Sequence, residues 1–187
     1  CWALAAFLDG HPKYQSRFRK LNRSVTGNDF NDKFLQAFHD DWQELESEWL
    51  LFVREIDYAY DLTLAAIRYQ TGKPIKASEP GVVTTVHATS GWQPTQAFLE
   101  SGETYHIRAD GQFSMRGATA EERWLSDPGG ITLHYSSGQP LGVLQGVLIP
   151  AEKTETDYFN ASRVHLIGCE KHWTPDQSGT LYLRINN

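Results

Sequence analysis

The chain has 187 residues, a formal net charge of -6, and a composition that is 40% hydrophobic and 21% charged. That apolar content offsets the entropy of ordering and excludes an intrinsically disordered chain, while the acidic balance disfavours nucleic-acid and anionic-membrane partners, which select a basic face. The longest apolar runs, at 2–8 and 50–53, fall far short of the roughly 20 residues that span a bilayer as a helix.

The first texture runs from Cys1 to about Tyr58 and carries bulky apolar residues at helical spacing. Residues 1–8 read as a helix closed by Asp9-Gly10, with glycine as a helix stop. His11-Pro12 starts a second helix reaching Leu21, with Tyr14, Phe18 and Leu21 on one face. Thr26-Gly27-Asn28 is a break, and a third helix from Asp29 places Phe30, Phe34, Ala37 and Phe38 on one stripe. A fourth, over 41–56, sets Trp42, Leu45, Trp49, Phe52 and Ile56 against Glu44, Glu46 and Glu48, which read as a solvated face. Residues 58–69 read as a connector that is open between two forms: 57–61 alternates as an edge strand does, while 62–67 has a helical pattern. The helical pattern begins at the first residue without an initiator Met or N-cap, so the chain is expected to be the C-terminal part of something longer. It shows no basic n-region or cleavage site of a secretory signal.

From Gly72 onward Gly and Pro become frequent and short alternating runs appear between turns. Strands are expected over 82–88, 95–99, 104–109, 112–115, 131–135, 143–149, 163–167 and 180–185, separated by signals such as Ser101-Gly102, Asp110-Gly111 and Asp127-Pro128-Gly129-Gly130. The fold class is therefore α+β, a helical subdomain at 1–71 followed by an antiparallel β-sandwich at 72–187, joined at Thr71-Gly72-Lys73-Pro74. Leu181, Leu183 and Ile185 alternate with Tyr182 and Arg184, which makes 180–185 a paired strand whose outer edge awaits a further strand or partner.

Catalytic signatures are absent from the sequence: no His-Glu-x-x-His, no nucleophile elbow, and no phosphate loop around Gly129-Gly130. Hydrolase activity is not expected of this chain alone. Two cysteines, Cys1 and Cys169, are too few for a disulfide framework; a pair and two separate thiols both remain open. His106 and His134 lie in expected strands, but their sequence neighbours supply no third ligand, so neither is expected to hold a metal. Asn22-Arg23-Ser24 and Asn160-Ala161-Ser162 match the N-glycosylation acceptor pattern. Trp124 and Trp173 are either sugar-stacking aromatics or core residues.

Two resemblances add to this. Gly91-Trp92-Gln93-Pro94-Thr95, the tract Gly102-Glu103-Thr104-Tyr105-His106-Ile107-Arg108-Ala109-Asp110-Gly111, Gly138-Gln139-Pro140-Leu141-Gly142 and the terminal Ser178-Gly179-Thr180-Leu181-Tyr182-Leu183-Arg184-Ile185-Asn186-Asn187 resemble the galactophilic calcium-dependent bacterial lectin fold over about 82–187. Trp92, Tyr105, Ile107 and Ala109 would feed the sandwich core. The resemblance implies a calcium site after the last strand, with Asn186 and Asn187 in the Asn-Asp position; Asn187 would replace an aspartate ligand, whereas by its own position Asn186 reads rather as a strand-end turn residue. Cys1-Trp2-Ala3-Leu4-Ala5-Ala6-Phe7-Leu8, with His11-Pro12-Lys13-Tyr14, resembles the helical tail of gluzincin-type zinc metallopeptidases, which implies zinc and a catalytic region upstream. The resulting expectation is a non-catalytic accessory region, extracytoplasmic, binding carbohydrate or a cell-surface polymer. An integral wall of a metallopeptidase and a purely structural interaction module are the alternatives. No cofactor is expected of the chain itself, calcium entering only with a further C-terminal loop.

Overall fold

The computed structural model describes residues 2–24, 26, 28–56, 61–76, 80–116, 123–136, 138–150 and 163–187, leaving out the side chains of Asn22, Glu55, Leu64 and Arg116. Cys1, Tyr58 and the acceptor pattern at Asn160 lie outside the described residues. The fold is α+β, and the chain divides into two compact units, Cys1–Ile67 and Arg68–Asn187.

The first unit is built from α1 (Trp2–Gly10), α2 (Gln15–Ser24), α3 (Phe30–Phe38), a 3-10 turn (His39–Asp41), α4 (Trp42–Glu55) and the short α5 (Leu62–Ala65). Its core is aromatic, with Phe7, Leu8, Tyr14, Leu21, Phe38, Leu45 and Phe52 buried together. Phe7 is central, with ring centroids of Trp49 and Phe52 at 5.7 and 5.2 Å, distances at which edge and tilted aromatic pairs add to area burial. The second helix starts later than His11-Pro12 suggested. His11 continues the last turn of α1 through its N–H to the Phe7 carbonyl at 2.9 Å, and its own carbonyl receives the Tyr14 and Gln15 N–H groups in a turn. Helices α2 and α4 are tied by charge, Asp41 accepting from Lys13 Nζ at 2.9 Å and Arg17 at 2.6 Å. Of the connector, 57–60 lie outside the described residues, while the helical reading of 62–67 corresponds to α5, followed by irregular chain.

Among the described residues the second unit holds eleven strands: β1 (Lys73–Pro74), β2 (Gln93–Leu99), β3 (Tyr105–Arg108), β4 (Phe113–Arg116), β5 (Arg123–Ser126), β6 (Ile131–Ser136), β7 (Gln139–Leu141), β8 (Leu144–Ile149), β9 (His165–Leu166), β10 (Glu170–Trp173) and β11 (Gly179–Ile185). A five-stranded sheet runs β1-β2-β11-β8-β9, and β10-β3, β4-β5 and β6-β7 form antiparallel pairs. Side chains from the sheet and from all three pairs meet in one core, including Leu99, Tyr105, Met115, Leu148, Trp173, Leu181 and Leu183, with Ile107, Ile131 and Leu141 packed against it. The pairs thus form a second layer over the sheet. The parallel β1–β2 pairing is a departure from an all-antiparallel sandwich.

Strand β11 is central rather than an edge: it pairs with β2 on one side and β8 on the other. The edge beside 180–185 that the sequence requires to be covered is covered by a neighbouring element, β2. The strand is also covered on both faces. Leu181, Leu183 and Ile185 enter the core, while Tyr182 on the opposite face is 2% exposed and its hydroxyl both donates to the Gln70 carbonyl and accepts the Gln70 N–H, each at 2.9 Å. Gly72 N–H reaches Thr180 Oγ1 at 2.9 Å. These bonds fasten residues 70–72 to the sheet, which is why the division falls after Ile67 rather than at Gly72. No Cβ fits at Gly72, where it would lie 2.6 Å from the Ala97 carbonyl carbon.

Residues 82–88 form no strand, and Val83 is almost fully exposed. The Gln93 side chain takes the place of a pairing strand, its Oε1 accepting the His87 N–H and its Nε2 donating to the His87 carbonyl, both at 2.9 Å. Among the described residues no helix is long and apolar enough to cross a membrane.

Candidate functional site

The β3–β10 pair presents one face to the core and one to solvent. Alternation along both strands sends Tyr105, Ile107 and Trp173 inward and His106, Arg108, Glu170 and His172 outward. In register, His106 stands opposite His172 and Arg108 opposite Glu170. The Ala109 N–H donates to the Cys169 carbonyl at 2.8 Å. Since hydrogen-bonded and non-hydrogen-bonded pairs alternate along an antiparallel ladder, the His106–His172 pair falls at a non-hydrogen-bonded position, where facing side chains come closest. The two imidazoles lie parallel, 4.3 Å between centroids and 2° between planes. His106 Nε2 sits 2.6 Å from Glu170 Oε1. The His106 hydrogen bond, opposed by slight desolvation and helped by the positive groups His106, Arg108 and His172, holds the Glu170 carboxyl below its ordinary range. Among the described residues this is the one cluster of three His, Cys, Asp or Glu side chains whose ligand atoms lie close together, all within 4.8 Å.

This bears directly on the expectation for His106. A third group was missing from its sequence neighbourhood, but β10 brings two from far along the chain. Glu170 and His172 are two residues apart, the spacing that puts both on one face of a strand. Glu-Lys-His-Trp alternates polar residues with one basic and one aromatic residue, so it carried little strand signal, and the missed strand hid the cluster. His134 is not part of it. It stacks on Trp124 with centroids 4.0 Å apart and planes 20° apart.

The other sequence-derived residues separate sharply. Trp173 is 7% exposed and lies in the core, with His165 tilted over it at 4.5 Å, so it offers no face for a sugar. Trp124 is half-buried; Leu133 and Tyr135, which flank its partner His134 in sequence, are 86% and 63% exposed. Asn186 is buried and its Nδ2 donates to the carbonyls of Ser136, Gln139 and Pro140 at 2.9–3.2 Å. It clamps the β6–β7 turn, the strand-end role open in the sequence, and its amide hydrogens point where a calcium ligand would need oxygen. Asn187 is exposed, with its Nδ2 on the Ala88 carbonyl at 2.7 Å.

In the helical unit a polar group sits where the sequence suggested solvent. Glu48 is 4% exposed. Its Oε2 meets His11 Nε2 and the Ile67 N–H at 3.3 Å, and its Oε1 accepts the Tyr14 hydroxyl at 3.2 Å. Lys13 N–H donates to His11 Nδ1 at 3.2 Å, which fixes the other ring nitrogen as the donor to Glu48. Burial and the nearby Glu48 carboxylate push the Tyr14 hydroxyl far above its usual range. The adjoining cavity, lined by Phe7, His11, Glu48, Leu51, Leu62 and Ala65, is about 10 Å³, enough for one water and no substrate. Because every partner is satisfied within the unit, this network holds helices together.

No protein-family model, curated protein or solved structure matches the chain.

Proposed function

We propose that the chain is a non-catalytic accessory region whose β unit binds a carbohydrate or cell-surface polymer, with the helical unit as the tail of a metallopeptidase-like parent acting outside the cytoplasm. The observation that carries this reading is the aromatic pair on the hairpins: the half-buried Trp124 with His134 stacked on it at 4.0 Å. Sugar rings present C–H faces that pack on aromatic rings, and exposed aromatic side chains with a polar tip suit a surface that is apolar on one side and wet on the other. Leu125, Leu133 and Tyr135, which alternate with Trp124 and His134 along β5 and β6, are 66%, 86% and 63% exposed, and this exposed apolar content of the two hairpins favours an interaction surface. The lectin-fold and gluzincin-tail resemblances support the reading from the sequence side, and the weakly acidic charge suits a neutral polymer better than an anionic one.

The test is binding of the whole chain to an array of neutral and amino-sugar polysaccharides, repeated with Trp124→Ala and His134→Ala. Retention on at least one polymer, weakened about fivefold or more by either substitution, is the expected result, the loss of one stacking contact being worth about 1 kcal/mol or more. Binding to none of the polymers would favour the purely structural module.

A further inference from the structure

We propose that His106, His172 and Glu170 form a surface site for a borderline divalent transition metal, with zinc as the representative ion. The site is separate from the Trp124–His134 pair and does not depend on the sugar-binding reading. Two imidazole nitrogens and one carboxylate oxygen are a donor set that zinc takes readily, and the same set suits copper and nickel. Hard cations such as magnesium and calcium prefer oxygen ligands and are poorly served.

The scaffold does much of the positioning. His106 and His172 face each other across a non-hydrogen-bonded position of the β3–β10 ladder, and Glu170 follows on the same face of β10. The inward side chains Tyr105, Ile107 and Trp173 fasten both strands to the core. The backbone that carries the three ligands is thus rigid while their side chains stay open to solvent. Their donor atoms already lie within 4.8 Å of one another. Tetrahedral zinc with bonds of about 2.0–2.1 Å needs donors about 3.3 Å apart. Turning the two stacked rings about their side-chain torsions brings their nitrogens together without moving the strands. A fourth position is left for water or for a donor from another molecule.

The metal-free cluster holds its charge by other means. His106 Nε2 and Glu170 Oε1 share a hydrogen at 2.6 Å, and Arg108 stands opposite Glu170 on the same face. Zinc takes the place of that hydrogen between the imidazole and the carboxylate. Arg108, opposite Glu170 on this face, sets a positive charge beside the carboxylate that repels a cation. Removing that guanidinium should therefore strengthen binding, an effect that damage to the strand cannot produce.

The experiment is a calorimetric zinc titration of the whole chain, with both thiols alkylated so that cysteine cannot contribute, followed by heteronuclear NMR of the zinc-loaded protein. One zinc per chain is expected, with shift changes centred on His106, Glu170 and His172. His106→Ala and His172→Ala should each weaken binding at least tenfold, and Arg108→Gln should tighten it. His87→Ala, exposed and outside the cluster, should leave it unchanged. No binding by the wild-type chain would overturn the proposal, as would binding that survives the His106→Ala/His172→Ala double substitution or shift changes centred elsewhere.

Discussion

Glu48 can be carried into the helical core because donors surround it: the His11 ring N–H, the Ile67 N–H and the Tyr14 hydroxyl all point at its two oxygens. A buried donor that loses its acceptor costs about 1–3 kcal/mol. Glu48→Ala leaves a buried imidazole N–H, a hydroxyl and a backbone N–H without acceptors, and should destabilise the helical unit by about 3–5 kcal/mol, read as a lower denaturant midpoint by circular dichroism. A loss under about 1 kcal/mol, the scale of an exposed ion pair, would mean that the carboxylate is effectively solvated. His165 makes the second residue-scale argument. Burial first, then the positive charges of Arg163 and Lys171, hold its ring below the usual imidazole range. The folded state therefore binds the proton less readily than the unfolded state. The stability it contributes is fully present above the unfolded value of about 6.5 and is lost as pH falls below it. The β unit should melt at lower temperature at pH 5 than at pH 7, and His165→Gln should flatten that slope; an unchanged slope in the variant would assign the effect to other groups.

At the scale of elements, helix joints and turns set which residues meet. Asp41 draws Lys13 and Arg17 to the start of α4, and the Lys13 hydrogen bond is the largest of the influences that hold its carboxyl below the usual carboxylate range. A depressed carboxyl contributes stability above its unfolded value of about 3.9, and that stability disappears as pH falls through the lower folded value. Acid should therefore loosen the α2–α4 junction, and Asp41→Asn should remove part of that acid sensitivity in a pH series of thermal melts. In the β unit the tight turn before β8 depends on Gly142, whose φ of +85° lies in the left-handed region and whose absent Cβ would lie 2.4 Å from Ser126 Oγ. Gly142→Ala should cost about 1–3 kcal/mol, with Gly138→Ala as a comparison that meets open space but shares the positive φ. Helix stripes were legible because a 3.6-residue period persists over α3 and α4. Strands such as β2, β8 and β11 were legible because both flanking turns and apolar runs marked them. Strand β10 was not, since Glu170, Lys171 and His172 are polar and only Trp173 faces the core as an apolar anchor. Strand β7 was hidden by Pro140, which is tolerated in a three-residue strand paired only with β6. What covers the edge of β11 was hidden for a different reason: sequence order does not reveal that β2 and β8 flank it.

For the whole molecule, each unit closes its own core: an aromatic one among the helices and a mixed aliphatic one between the sheet and its three strand pairs. The bonds at the junction respect the division, Ile67 N–H reaching Glu48 and Gln70 reaching Tyr182. Size separates the two outcomes. A chain of about 60 residues buries only about 60% of the surface it exposes when unfolded and is marginal, whereas larger domains bury more. The β unit also seats Leu181, Leu183 and Ile185 in its core, side chains worth about 1.5–3 kcal/mol each when fully buried. Residues 68–187 expressed alone should therefore fold, with a cooperative melt and dispersed amide resonances, and should retain the zinc stoichiometry expected for the His106 cluster. Residues 1–67 alone should be helical but less stable, and Glu48→Ala should unfold them outright, because a loss of about 3–5 kcal/mol takes most of the roughly 0.05–0.15 kcal/mol per residue that a domain holds in reserve. A 68–187 fragment that is unfolded, or that regains structure only when 1–67 is added, would show that the two cores are parts of one cooperative unit.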